Sequence, residues 1–149
     1  MSVSREPVIV VGVDGSPSSI KALEWAIDQA ALTQASVKAV TAWHFPNSYG
    51  VPLADGTNYA DLAREALTKA IVTARNARPD GPAADVKIRT WIAEGHAAQI
   101  LLDQSADASL LVVGSRGHGG FAEALLGSVS QHVVHHAPCP VVIIRDREI

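Results

Sequence analysis

Between Ala108 and Ile144 the chain carries two charged residues, Arg116 and Glu123, and five of its eleven glycines. Four of them sit in Gly114-Ser115-Arg116-Gly117-His118-Gly119-Gly120, and the fifth, Gly127, precedes Ser128-Val129-Ser130. Glycines that leave an apolar strand and enter a helix suit anion binding. Without a Cβ, backbone N–H groups can turn toward a phosphate. The next helix adds unpaired N–H groups and the positive end of its dipole. Ser128 and Ser130, at that helix start, can add hydroxyl donors. The plainer reading is a glycine-rich turn with Ser128 as a helix cap. Two familiar phosphate motifs are absent. The segment has no lysine, which a Walker A loop needs. Gly117-His118-Gly119-Gly120 has the wrong spacing for a dinucleotide fingerprint and follows the fourth strand, not the first. Arg116 either reaches a phosphate or faces solvent, the usual fate of a loop arginine.

Other reactive side chains fit packing roles better. Asp14 ends the first strand, where an Asx-turn or helix cap is the ordinary role. His132 and His136 are one helical turn apart and Cys139 follows, but no His-Glu-x-x-His pattern or second ligand pair supports zinc. These histidines, with His135, suit a helix C-terminus. Cys139, between two prolines, reads as a buried small residue without a partner base. Trp25, Trp43 and Trp91 lie in different elements and read as packing residues, not a base-stacking platform.

Short β-branched runs alternate with Ala-rich stretches of helical spacing. Val8 to Val13 is apolar on both faces, as in a central parallel strand. Ser16 caps the next helix and Pro17 fits its first position. That helix runs to about Ala35, with Ile20, Leu23, Ile27 and Ala30-Ala31 on one face. Val37 to Trp43 is a second strand. Val86 to Trp91, alternating with Lys87 and Arg89, is a third of half-exposed or edge type. Leu110 to Gly114 and Val141 to Ile144 are the fourth and fifth. Helices are expected from about Asn58 to Asn76, with Leu62, Ala66, Ala70 and Ala74 spaced at i, i+4, and near Ala97 to Ser105 and Ser128 to His136. His44 to Thr57 reads as a flexible surface loop and Arg78 to Pro82 as a turn. The pattern implies an α/β, doubly wound, five-stranded parallel sheet with helices on both faces.

With 149 residues, the chain fits one domain spanning 1–149. It is 48% hydrophobic and 18% charged, which argues against disorder. No apolar run approaches the ~20 residues of a membrane span. The first seven residues lack a signal-peptide core. One cysteine excludes an internal disulfide framework, so a cytoplasmic location is expected. Twelve basic against 15 acidic residues, a net charge of −3, argue against a nucleic-acid partner.

Gly114, Gly117, Gly127 and Ser128 spell Gly-x2-Gly-x9-Gly-Ser. This resembles the nucleotide-binding signature of the universal stress protein family, in its ATP-binding branch. The resemblance covers the whole chain, from Ile9-Val10-Val11-Gly12-Val13-Asp14-Gly15-Ser16 to Ala137-Pro138-Cys139-Pro140-Val141. It implies strand order 3-2-1-4-5, which puts Asp14 and Gly114 together at the switch point where ligands of open α/β sheets bind. It gives Asp14 the ribose and places adenine near Val13 and the backbone from Val40 to Ala42. Phosphates would lie on Gly117, Gly127, Ser128, Val129 and Ser130. Gly12, Gly114, Ser115 and Arg116 complete the expected site.

The resemblance implies an ATP-binding module acting in stress adaptation. The alternatives are a slow ATPase or nucleotidyl-transfer enzyme, a cyclic AMP binder, and a flavin carrier of flavodoxin-like architecture. Glu123 is the only carboxylate of the phosphate segment, so any magnesium would be held mainly by the phosphates. No general base is evident. In the implied order Val141 to Ile144 is an edge strand, apolar at every position. Such an edge invites antiparallel pairing with a second copy, so a homodimer is expected. A fold-back of the charged tail, Arg145 to Ile149, is the competing cover.

Overall fold

The computed structural model describes residues 6–44, 47–48, 51–52, 56–116 and 127–145. Five parallel strands form its main sheet: β1 (Val8–Gly12), β2 (Ser36–Trp43), β3 (Ile88–Glu94), β4 (Leu110–Gly114) and β5 (Val141–Ile144). Their order across the sheet is β3-β2-β1-β4-β5. Val10 of β1 lies level with Lys38 of β2 and Leu111 of β4, and Leu111 with Val141 of β5. The expected winding and order are both found.

Alternation along β1 divides the interior in two, because neighbouring side chains in a strand point to opposite faces. Ile9 and Val11 join a core with Leu23, Ala26 and Ile27 of helix α1 (Pro17–Thr33) and Leu67, Ala70 and Ala74 of α2 (Tyr59–Asn76). Val10 joins Leu111 and Val113 in a second core. Leu101 of α3 (Ala97–Gln104) and Val133 of α4 (Ser128–His136) cover it. Helices therefore cover both faces, and this explains why the central strands are apolar throughout. The edge strand β5 follows the same rule. Val142 and Ile144 pack on the first core and Val141 and Ile143 on the second.

The start of α1 is as its sequence dictates. The Ser16 hydroxyl accepts the Ser19 N–H at 3.3 Å and Pro17 takes the first turn. The helix stops at Thr33, before Gln34, which has a left-handed backbone at φ 57°. Ile20 and Ala31 are only half-buried; Ala22, Ala26 and the buried Ser18 and Ser19 share the inner face with Leu23, Ile27 and Ala30.

Three expectations need correction. In α2 the inner face is Leu67, Ala70 and Ala74, while Leu62 is 51% exposed and Ala66 also faces solvent. Each i+4 step overshoots a helical turn by about 40°. A stripe drawn through Leu62, Ala66, Ala70 and Ala74 therefore wanders about 120° round the helix. The third strand begins at Ile88 and extends to Glu94, because β2 offers ladder partners as far as Trp43. Val86 is buried ahead of the ladder, after a 3-10 turn at Pro82–Asp85, and its carbonyl accepts from the Arg75 guanidinium at 2.9 Å. Trp91 is 44% exposed on this edge strand, with the Lys38 ammonium 5.1 Å from its ring centroid, so it does not pack inward.

Two connecting segments have more structure than expected. Within His44 to Thr57, Asn47–Ser48 pairs antiparallel with Val51–Pro52. In the turn after α2, Arg78 grips α1. Its guanidinium reaches both carboxylate oxygens of Asp28, at 2.5 and 2.6 Å, and Glu24 at 2.7 Å. Those bonds push the Arg78 pKa further up, outweighing partial desolvation. Among the described residues, no helix is long and apolar enough to cross a membrane.

Candidate functional site

In a parallel sheet every strand delivers its chain to the same end, and the next helix starts there. The ends of β1, β2 and β4 and the starts of α3 and α4 enclose a cavity of about 390 Å³. That volume is in the range of small-molecule sites. Gly12, Val13 and Asp14 line it from β1 and its exit, and Val40 and Ala42 line it from β2. Gly114 and Arg116 come from the β4 exit. Gly127, Ser128, Val129 and Ser130 come from the α4 start. The structure thus brings together the expected site residues, with two exceptions. Gly117 lies outside the described residues. Ser115 is buried behind the wall, where its N–H donates to Ile144 O at 2.8 Å and its carbonyl accepts from Gly127 N–H at 2.6 Å.

Asp14 serves the turn as well as the cavity. Its Oδ1 accepts the Ser16 N–H at 2.9 Å, an Asx-turn that starts α1, and its own N–H donates to Ser19 Oγ at 3.3 Å. One carboxylate oxygen is therefore engaged with the turn. Val13 is held from β2, its N–H donating to Val40 O at 2.9 Å and its carbonyl accepting from Thr41 Oγ1 at 2.8 Å.

Among the described residues the start of α4 has no side-chain cap; Gly127 occupies the cap position with extended backbone. Helix N–H groups left unpaired there, with the dipole behind them, favour an anion. Ser128 is exposed at this spot. Ser130 behaves otherwise than its sequence position suggests. Its hydroxyl is buried and donates to Gly114 O at 2.5 Å, so the proton expected for a phosphate is already engaged. Gly114 also has a packing reason to be glycine. A Cβ there would meet the Ser18 carbonyl carbon at 2.8 Å.

The cavity has a second pole that sequence reasoning missed. His44, at the end of β2, and Gly95, His96 and Ala97, at the start of α3, line it. His96 is in the cap position without a side-chain cap bond. Gly95 has φ 139°, a conformation open to glycine. Its place between a strand and a helix was the available signal, since every such junction in this fold faces the same end. Leu101 and Val113 form an apolar floor, and Ser19 completes the wall.

The remaining reactive residues lie elsewhere. The rings of His132 and His136 are 4.7 Å apart on α4. Among the described residues no group of three His, Cys, Asp or Glu could hold a metal ion. Cys139 is half-buried. Burial pushes its thiol pKa up, and a hydrogen bond with Ser105 partly opposes this.

A model of the universal stress protein family matches residues 7–145. A universal stress protein of Mycolicibacterium smegmatis (strain ATCC 700084 / mc(2)155) is 34% identical over 148 residues, which are 97% of this chain and 47% of that protein. The chain spans about half the length of the curated relatives it matches. Among solved structures, a universal stress protein in complex with cAMP aligns with a TM-score of 0.69 at 29% identity, over 95% of this chain and 98% of that one. A universal stress protein from Lactobacillus plantarum aligns with a TM-score of 0.67 at 26% identity, over 96% of this chain and all (100%) of that one.

Proposed function

The chain belongs to the universal stress protein family, and on that premise we propose that it is an adenine-nucleotide-binding module that takes ATP in the cavity between α3 and α4. One observation carries this reading. The start of α4, without a side-chain cap among the described residues, opens into the same cavity as Asp14, at the point where the winding of the sheet reverses. The phosphates lie on Gly127, Ser128 and Val129, the ribose hydroxyls donate to Asp14, and the adenine rests against Val13, Val40 and Ala42. A carboxylate repels phosphate and accepts from hydroxyls, which orders the ligand along the cavity. Asp14 is the one carboxylate among the described lining residues, so a magnesium ion would be held mainly by the phosphates.

Cyclic AMP is the second reading, favoured by the similar protein solved with that ligand. Identifying the nucleotide released on denaturing the purified protein, by mass spectrometry, tests both. Calorimetric titration with ATP, ADP and cyclic AMP then ranks them. A protein that releases no adenine nucleotide and binds none of the three refutes the proposal.

The same reading includes a role in stress adaptation, a cytoplasmic location and a homodimer through Val141–Ile144. The last is supported by the position of β5 at the sheet edge. Antiparallel pairing with the same strand of a second copy would satisfy its outer N–H and C=O groups and close with two-fold symmetry. Light scattering checks it: dimer mass for the natural chain and monomer mass for Ile143→Pro, whose missing N–H lies on the outer edge, because Pro140 O and Ile144 O both turn toward β4. A natural chain already monomeric at about 10–50 µM, a range suited to a modest interface, refutes it.

A further inference from the structure

We propose that Ser18 is a positioning residue for the ligand site, holding Arg116 over the cavity from the opposite face of the sheet. The inference rests on the nucleotide reading and adds to it a residue that does not line the cavity.

Ser18 is in the first turn of α1 and 3% exposed. Its hydroxyl donates to the Arg116 carbonyl at 2.5 Å, across 98 positions of sequence. The Ser16 hydroxyl approaches the same oxygen at 3.4 Å. A buried hydroxyl without a partner costs free energy, so this bond favours one path for the chain as it leaves β4. Gly114 permits the contact, because a side chain there would collide with Ser18.

Three consecutive carbonyls at this exit are taken by donors from two helices. Gly114 O accepts from Ser130 Oγ, Ser115 O from Gly127 N–H, and Arg116 O from Ser18 Oγ. The first two bonds come from α4, on the cavity side; the third comes from α1, behind the sheet. Among the described residues, α4 holds the exit at Gly114 and Ser115, and only α1 and its cap residue Ser16 reach the Arg116 carbonyl. The Ser18 bond, the shorter of the two, extends the hold on the exit to a third residue. The consequence falls on charge. Arg116 is the one lysine or arginine among the described lining residues, and it is exposed. An exposed arginine on a free backbone spends its time in solvent. On a pinned backbone its guanidinium stays within reach of an anion at the start of α4.

The test compares ligands that differ in charge. ATP and adenosine are titrated calorimetrically into the natural chain, Ser18→Ala, Arg116→Gln and the double variant. The expected result is that Ser18→Ala weakens ATP about 3- to 10-fold, within the range of coupled pairs, and leaves adenosine unchanged. In the Arg116→Gln background Ser18→Ala should cost ATP nothing further. Ser18→Cys, which keeps shape and a weak donor, should fall between the natural chain and Ser18→Ala, and it replaces the alanine variant if that one fails to fold by circular dichroism. Equal losses for ATP and adenosine, or full additivity with Arg116→Gln, would overturn the positioning role while leaving the nucleotide reading intact. A natural chain that binds neither ligand overturns both.

Discussion

Replacing Gly114 by alanine should destabilise the fold through α1, without direct involvement of any ligand. An added Cβ would stand 2.8 Å from the Ser18 carbonyl carbon and 3.0 Å from the Ser18 Cβ. Carbon atoms rest comfortably at about 3.5–4.0 Å, so the first turn of α1 would have to retreat by roughly 0.7 Å. It cannot do so freely. Leu23, Ala26 and Ile27 of the same helix are fully buried against the sheet, and Arg78 holds its outer side. Overpacking of this kind costs about 1–3 kcal/mol, and a clash with backbone belongs at the upper end. Alanine recovers about 0.4–1 kcal/mol by restricting the unfolded chain. The net loss is then about 2 kcal/mol, which for a chain of this size lowers the melting temperature by roughly 4–8 °C. Urea denaturation followed by far-ultraviolet circular dichroism measures it. Gly12→Ala is the internal control. Its tight contacts would be the methyl groups of Leu101, at 2.9 and 3.2 Å, which can rotate away, with Val113 Cγ1 at an ordinary 3.5 Å. Equal midpoints for the two variants, or a more stable Gly114→Ala, would refute the packing argument.

Ser128→Ala should weaken ATP binding about 10- to 100-fold by calorimetry, the worth of one charge-assisted hydrogen bond; unchanged affinity in a folded variant removes Ser128 from the site. Leu67→Ala should cost about 2–5 kcal/mol in urea unfolding and Leu62→Ala under about 0.5 kcal/mol, because only the first is buried; similar losses would contradict the assigned face of α2. The Cys139 thiol, pushed up by burial, should alkylate with iodoacetamide more slowly than a free thiol. Ser105→Ala, which removes the bond that lowers its pKa, should move the midpoint of the rate against pH further up; a downward move would reverse the assigned cause. ATP incubated with stoichiometric protein and magnesium should persist for hours, and turnover near ~1 s⁻¹, at the low end for enzymes, would instead require a catalytic base in this site.

Local chemistry made the sheet legible before its three-dimensional arrangement was considered. The bounds of β4, α4 and β5 and the Ser16-Pro17 start of α1 follow from β-branched runs, cap residues and prolines, and the structure places them at those residues. The failures arise where distant parts of the chain decide. Leu62 carries a core residue's side chain, but the turn of α2 points it away from α1. Val86 satisfies its carbonyl with Arg75 rather than a strand neighbour. The site divides in the same way. Asp14 and the Ser128 region could be placed by a switch point and a glycine pattern. His44 and His96 sit at junctions with no pattern of their own, and the engagement of Ser130 with Gly114 and of Ser18 with Arg116 depends on contacts that no spacing encodes.

The bond from Gly127 N–H to Ser115 O has a consequence for how this protein can be varied. It joins the two ends of the stretch between them, and α1, α4 and β5 hold those ends in place independently of it. Gly127→Pro, whose extended backbone proline can adopt, would remove that donor and loosen the start of α4 from the β4 exit while the ladder between β4 and β5 stays intact. The β4 exit and the start of α4 are tied by this bond and by Ser130 Oγ on Gly114 O, so two walls of the cavity move as one piece.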